Sequence, residues 1–356
     1  MAWVVIGGSK GTLTVIFACY IVGLLGSLLV SGVVSDRVGR KPVLLPALGL
    51  AMAACAIFVS ASAVAALIVA RLFSGIAVGA VVSAGMAAVT DVAGPGRRRL
   101  AALPASCAMV FGAGLGPLLA GVLGKGVFVL EAVLLAVAVL VVARMPVRRP
   151  VPPAKGAWVR IPGVPRGSGG QLLMGIAVFA PGITATSFVL SLGPSLLSGL
   201  LDTTSPVAAG AMAFVMFLTA TGAQLAVQRL DRRTILLAGA VSTTIGMGAL
   251  TAAVRASSVP LLVAAALLAG AGQGMGQLGG LSLLNSGVPA SRLAEANAAL
   301  NVGGYVPAGA LPVTAGYLSD AAGLTTGATV FGAVLMALAL VGGLVVLAGP
   351  ASVRRK

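Results

Sequence analysis

Residues 32–42, Gly32-Val33-Val34-Ser35-Asp36-Arg37-Val38-Gly39-Arg40-Lys41-Pro42, place four ionisable side chains in a tight turn between two apolar runs. A charge at the centre of a bilayer costs roughly 2.5 to 3.5 kcal/mol on insertion scales, so such a turn belongs at a membrane face with its charges wet or paired. It fixes where the bilayer ends for both flanking runs. Composition agrees: 59% of the chain is hydrophobic and 8% charged, with a mean hydropathy of +1.11, which excludes an ordinary soluble domain. The net charge of +16 would suit nucleic acid only if the basic residues made one accessible face. They fall instead in short gaps between apolar runs, the pattern of membrane topology, so the expected partner is the lipid bilayer and not nucleic acid.

A helical span takes about 20 predominantly apolar residues. Eleven such runs are read: 12–34, 43–61, 64–89, 100–123, 126–143, 171–199, 206–228, 234–253, 260–284, 296–318 and 325–348. The expected fold is therefore an all-α membrane protein. Residues 144–170 are rich in proline and arginine, cannot form a span, and read as a solvated basic linker. The expected organisation is an N-terminal helical bundle over 1–143, the linker over 144–170, and a C-terminal bundle over 171–356. Lys and Arg in alternate gaps divide 19 to 3, which places the Asp36 turn, the linker and the C-terminus in the cytoplasm and the N-terminus outside. No cleavable signal peptide is read in residues 1–11. The excess of Arg over Lys, 18 to 5, points to a GC-rich bacterial genome and so to a bacterial inner (plasma) membrane.

The halves echo one another. Leu230-Asp231-Arg232-Arg233-Thr234-Ile235-Leu236-Leu237 follows the second span of the second half as Asp36-Arg37 through Leu44-Leu45 follows the first span of the first. If the halves are repeats, the first is short by one helix, and the chain is expected to lack the first span of a six-plus-six arrangement.

The turn carries a family pattern. Gly32, Asp36, Arg37, Gly39, Arg40 and Lys41 meet the spacing of Gly, three residues, Asp-Arg, one residue, Gly-Arg-Lys, and on it the chain resembles a major facilitator superfamily transporter, of the drug/proton antiporter kind, showing that family's helices 2–12. The resemblance implies two helical bundles, an all-helical fold and no enzymatic activity. It also implies that these residues form a gating latch, with Asp36 facing the positive N-terminal end of the helix that begins near Ala296 and the last Arg pairing with Asp91. Gly32 would admit a neighbouring backbone and Gly39 the tight turn. The competing reading is that the charges only enforce topology.

Two further patterns match the family. Arg71 followed by Gly75, with Gly79 a turn later, fits its fourth helix, although Ser74 stands where a Gln is usual. Arg71 is the one Lys or Arg left inside a span; it either serves transport and coupling or snorkels to the outer surface. Gly112-Ala113-Gly114-Leu115-Gly116-Pro117-Leu118-Leu119-Ala120-Gly121 is close to the family's helix-5 pattern, in which Gly112, Gly116 and Gly121 allow close packing and Pro117 bends the rod. That pattern is associated with proton-coupled exporters; generic small-residue packing is the alternative.

Proton coupling needs a carboxyl group within the membrane. Of the seven acids only Glu131 lies in a span, near its outer end, where it is either a protonation site or simply wet. For a small-molecule substrate the polar candidates are Thr184, Thr186 and Ser187, then Gln224, then Gln273 and Gln277, which share a helix face at i, i+4. Few aromatic and charged residues favour a small or moderately lipophilic organic compound over a sugar. No cofactor is expected. Cys19, Cys55 and Cys107 lie in apolar runs without metal-ligand spacing, and no His exists. Gly274-Met-Gly276-Gln-Leu-Gly279 lies in an apolar run with no preceding strand, Gly124-Lys125 lacks the rest of a phosphate loop, and Ser9 has no His to activate it. The chain is expected to act as a monomeric secondary transporter exporting its substrate against protons; an importer, a uniporter or a nonfunctional remnant are the alternatives.

Overall fold

A computed structural model describes residues 8–85, 88, 112–145, 158–159, 162–201, 205–289 and 292–349. Backbone polar groups in hydrocarbon must be satisfied within the segment that carries them, and the apolar runs answer this by becoming helices. They are α1 (Lys10–Val38), α2 (Lys41–Ser60), α3 (Val64–Ala80, continued by a π-helical turn Val81–Gly85), α4 (Gly112–Leu123) and α5 (Gly126–Arg144). After the linker come α6 (Gly169–Leu201), α7 (Pro206–Val227), α8 (Arg232–Arg255), α9 (Val259–Gly287), α10 (Leu293–Ala322) and α11 (Leu324–Ala348).

Among the described residues there are eleven helices and no strand. Where both ends of a helix are described, they fall within four residues of the spans read from the sequence. Nine are long and apolar enough to cross a membrane. The described part of α4 is short for a span. Helix α10 is long enough, with 30 residues, but Asn297, Asn301, Pro307 and Pro312 make it less apolar than its neighbours.

Local chemistry sets several helix starts. Ser205 caps α7 by accepting from the Ala208 N–H at 3.2 Å, with Pro206 in the first turn. Asp231 caps α8, accepting from the Thr234 N–H at 2.9 Å and the Thr234 hydroxyl at 2.6 Å. Its carboxyl is held below the usual carboxylate range, first by the Thr234 hydroxyl and then by the Thr234 N–H.

The chain divides into two compact units that do not follow chain order: Met1–Thr14, Val110–Val122 and Pro162–Lys356 in one, Val15–Met109 and Leu123–Ile161 in the other. In the first, α9 is the hub, packed on α6, α7 and α8. A Cβ on Gly182 of α6 would lie 2.8 Å from Gln273 Cα, so glycine there lets the α6 and α9 backbones touch. Phe188 and Phe331 stack at 4.1 Å within the largest apolar cluster of this unit. In the second unit α2 packs on α3 and α5, and the Phe58 and Phe128 rings stack at 5.1 Å.

Candidate functional site

The basic turn is built by the end of α1. Gly39 takes φ +98°, a left-handed conformation that costs a side-chain-bearing residue strain, and its N–H closes the helix on the Ser35 carbonyl at 3.1 Å. Reversing there brings Arg40 back over α1, where its guanidinium donates to Asp36 Oδ1 at 2.5 Å and to the buried Ser35 hydroxyl at 2.8 Å. Lys41 reaches across to the end of α5 and donates to the Ala143 carbonyl at 2.5 Å. Arg37 lies over the Trp158 ring at 4.2 Å, a cation–π contact that ties part of the linker to the turn. Gly32 is buried. Asp91, the expected partner of the last Arg, lies outside the described residues.

Arg71 and Glu131, 60 positions apart in the chain, come together in the second unit. Arg71 lies in the electrostatic field of both Glu131 and Tyr20, and its guanidinium is 5.7 Å from the Phe58 ring centroid. The buried Cys55 thiol lies within electrostatic range of the Glu131 carboxylate. Gly75 lies against the Tyr20 carbonyl, so the glycine one helical turn from Arg71 brings α1 and α3 into contact beside the charge. Glu131 itself is exposed. Four helices, α1, α2, α3 and α5, thus carry Tyr20, Cys55, Arg71 and Glu131, linked pairwise by electrostatic range: Tyr20 to Arg71, Arg71 to Glu131 and Glu131 to Cys55. Sequence reasoning missed Tyr20, and it placed Cys55 in an apolar run, where the structure buries it.

The helix-5 pattern divides into two kinds of glycine. Gly121 packs on the Pro206 backbone, with Val207 Cα 2.9 Å from where a Cβ would be, and Gly210 of α7 receives the Pro117 carbonyl. Gly114 approaches Phe214 and Phe217. Gly112 and Gly116 have no such neighbour among the described residues. The α4–α7 crossing therefore rests on Gly121, Gly114 and Gly210, of which only Gly121 was expected to make a close approach.

The polar candidates for substrate fall on α6, α7 and α9 of the first unit. The Thr186 hydroxyl donates to Gln273 Oε1 at 3.0 Å and bonds its own helix at Gly182 O. Gln224 donates to the Gly274 carbonyl at 3.1 Å. Thr184 is fully buried, with no hydrogen-bond partner for its hydroxyl among the described residues; Gln277 is half-buried. Gln224 thus meets α9, and Gln273 of α9 is joined to α6 by Thr186. An apolar recess of about 300 Å³ between α6, α7 and α9, lined by Leu197, Met212 and Val263, contains none of these residues.

The profile of the Major Facilitator Superfamily matches residues 3–230, more than half of the chain. The chain belongs to that superfamily. It is a multi-pass membrane transporter and not an enzyme. No curated protein matches it. Among solved structures, the nucleoside transporter NupG is similar with a TM-score of 0.73 at 12% identity, covering 97% of this chain and 93% of that one. A POT family transporter in complex with 5-aminolevulinic acid gives 0.70 at 13% identity, covering 96% and 93%. The human organic anion transporter MFSD10 gives 0.68 at 20% identity, covering 94% and 83%. At these identities the likeness is one of fold, and a superfamily fold does not name a cargo.

Proposed function

We propose that this superfamily member is a proton-coupled exporter of a small organic compound in a bacterial inner membrane, acting as a monomer by alternating access. The observation that carries the reading is the meeting of Arg71 and Glu131 with Tyr20 and Cys55. A carboxylate near a cation can exchange its proton while the cation limits the charge left behind. On this reading Glu131 carries the proton, and Arg71 holds the carboxylate when it is empty.

The helix-5 pattern supports export as the direction. The 19 to 3 division of basic residues supports a cytoplasmic basic turn, linker and C-terminus and an N-terminus on the other side. In the turn, the Arg40–Asp36 pair and the Lys41 tie to α5 support the reading of this segment as a gating latch. Gln273, Thr186 and Gln224 are the polar groups that orient substrate, with Gln277 and Thr184 beside them on α9 and α6.

The test is proton movement in everted vesicles. With an acid interior set up by respiration, a transported compound from a panel of lipophilic organic molecules should release protons and restore the fluorescence of a quenched acridine dye. Glu131→Gln should abolish this response. Transport that persists unchanged after the gradient is collapsed would identify a uniporter instead.

A further inference from the structure

Asp320 lies in the last turn of α10, past the apolar stretch 296–318, and it is one of the acids to which the mechanism above gives no role. Its two carboxylate oxygens accept from the first backbone N–H groups of α1: Lys10 N–H to Oδ1 at 2.9 Å and Gly11 N–H to Oδ2 at 2.8 Å. The contact is packed as well as bonded. A Cβ on Gly11 would lie 2.7 Å from the Tyr317 ring, and Gly316 receives the Thr14 hydroxyl and the Lys10 carbonyl. The first N–H groups of a helix have no partner inside it, and the positive end of its dipole favours an anion. Burial pushes the Asp320 carboxyl up, but the bonds from Gly11 and Lys10 outweigh it and hold the group below the usual range.

This contact involves the first turn of α1, the helix whose last turn leads into the basic turn. Along α1 the chain passes from one compact unit to the other between Thr14 and Val15, so the bonded first turn is the part of this helix that belongs to the same unit as α10.

We propose that Asp320 is the catch of a clasp holding the first turn of α1 on α10 at the membrane face opposite the basic turn, and that the clasp releases when that face opens. The inference rests on the alternating-access reading and on its orientation. Thr14 reports the state of the clasp: it is 1% exposed, and its hydroxyl packs against Gly316.

The experiment is labelling of the full chain carrying Thr14→Cys, in membranes, with the native cysteines kept and the modified peptide identified by mass spectrometry. With Asp320 intact a membrane-permeant maleimide should label slowly. Asp320→Asn, or Asp320→Ser should the first not reach the membrane, should accelerate labelling by about tenfold or more, the scale of losing charged hydrogen bonds. Asp231→Asn, which alters another helix-capping acid in the same unit, should leave the rate unchanged. Unchanged labelling in the Asp320 variant, or equal acceleration by Asp231→Asn, would overturn the clasp. An impermeant maleimide added outside reads sidedness separately: release seen by the permeant reagent alone would leave the clasp standing and reverse the orientation.

Discussion

Lys41 Nζ lies 2.5 Å from the carbonyl oxygen of Ala143, 102 residues further along the chain. The second half repeats the arrangement with a different residue: Arg233 Nη2 donates to the Leu347 carbonyl at 2.6 Å. In each case a cation at the start of one helix, α2 or α8, satisfies a carbonyl in the last turn of another, α5 or α11, where the dipole favours positive charge. This gives the faint echo between Asp36-Arg37-Val38-Gly39-Arg40-Lys41 and Asp231-Arg232-Arg233 a physical content. Both loops end in a basic residue that staples the last helix of its half. Lys41→Met should lower stability by about 1 kcal/mol, and Lys41→Arg should restore most of it, as read by thermal unfolding in detergent.

The α4–α7 crossing makes a sharper prediction, because its glycines are not equivalent. Gly210→Val, which drives a side chain into the Pro117 carbonyl, should cost about 1–3 kcal/mol and impair transport. Gly112→Ala and Gly116→Ala, both at positions open among the described residues, should be neutral or slightly stabilising, since alanine favours the helix by about 1 kcal/mol. Equal damage from all three would refute this division.

Thr186 and Gln273 should behave as a coupled pair. Thr186→Val, Gln273→Leu and the double variant form a cycle whose interaction energy should be about 1 kcal/mol, measured by unfolding in micelles. On the proposed function each single change should also raise the substrate concentration needed for half-maximal transport.

Asp231 sets an acid limit on one helix. Its folded carboxyl is below the usual value, so the cap stabilises α8 fully above the ordinary aspartate pKa of about 3.9 and loses that effect as pH falls through the lowered value. Asp231→Ala should cost about 1 kcal/mol at neutral pH. The difference from wild type should shrink as pH drops below about 4, followed by acid-induced loss of helicity.

Much of the fold is legible in the sequence because lipid leaves little choice: a run of about 20 apolar residues bounded by charge has to be a helix. The basic turn is legible for the same reason, since Asp36, Arg37, Arg40 and Lys41 are too costly anywhere but a membrane face. What the sequence hides is pairing across distance. Cys55 looks like any small apolar residue until α5 brings Glu131 to its thiol, and the carbonyl of Ala143 has no side chain to announce it. Gly114 was one of 50 glycines, and only the packing of α7 distinguishes it from Gly112. Asp320 has no role legible in the sequence because its partners are backbone N–H groups more than 300 residues away.

The central claim is that Glu131, held beside Arg71, carries the proton that drives transport. The direct measurement is made on purified protein in proteoliposomes, comparing wild type with Glu131→Gln in two modes on the same substrate. Wild type should exchange labelled for unlabelled substrate and should also accumulate it against its gradient when a pH gradient is imposed. Glu131→Gln should keep the exchange, which needs no net proton movement, and lose the accumulation. Accumulation by Glu131→Gln at the wild-type level would contradict the account.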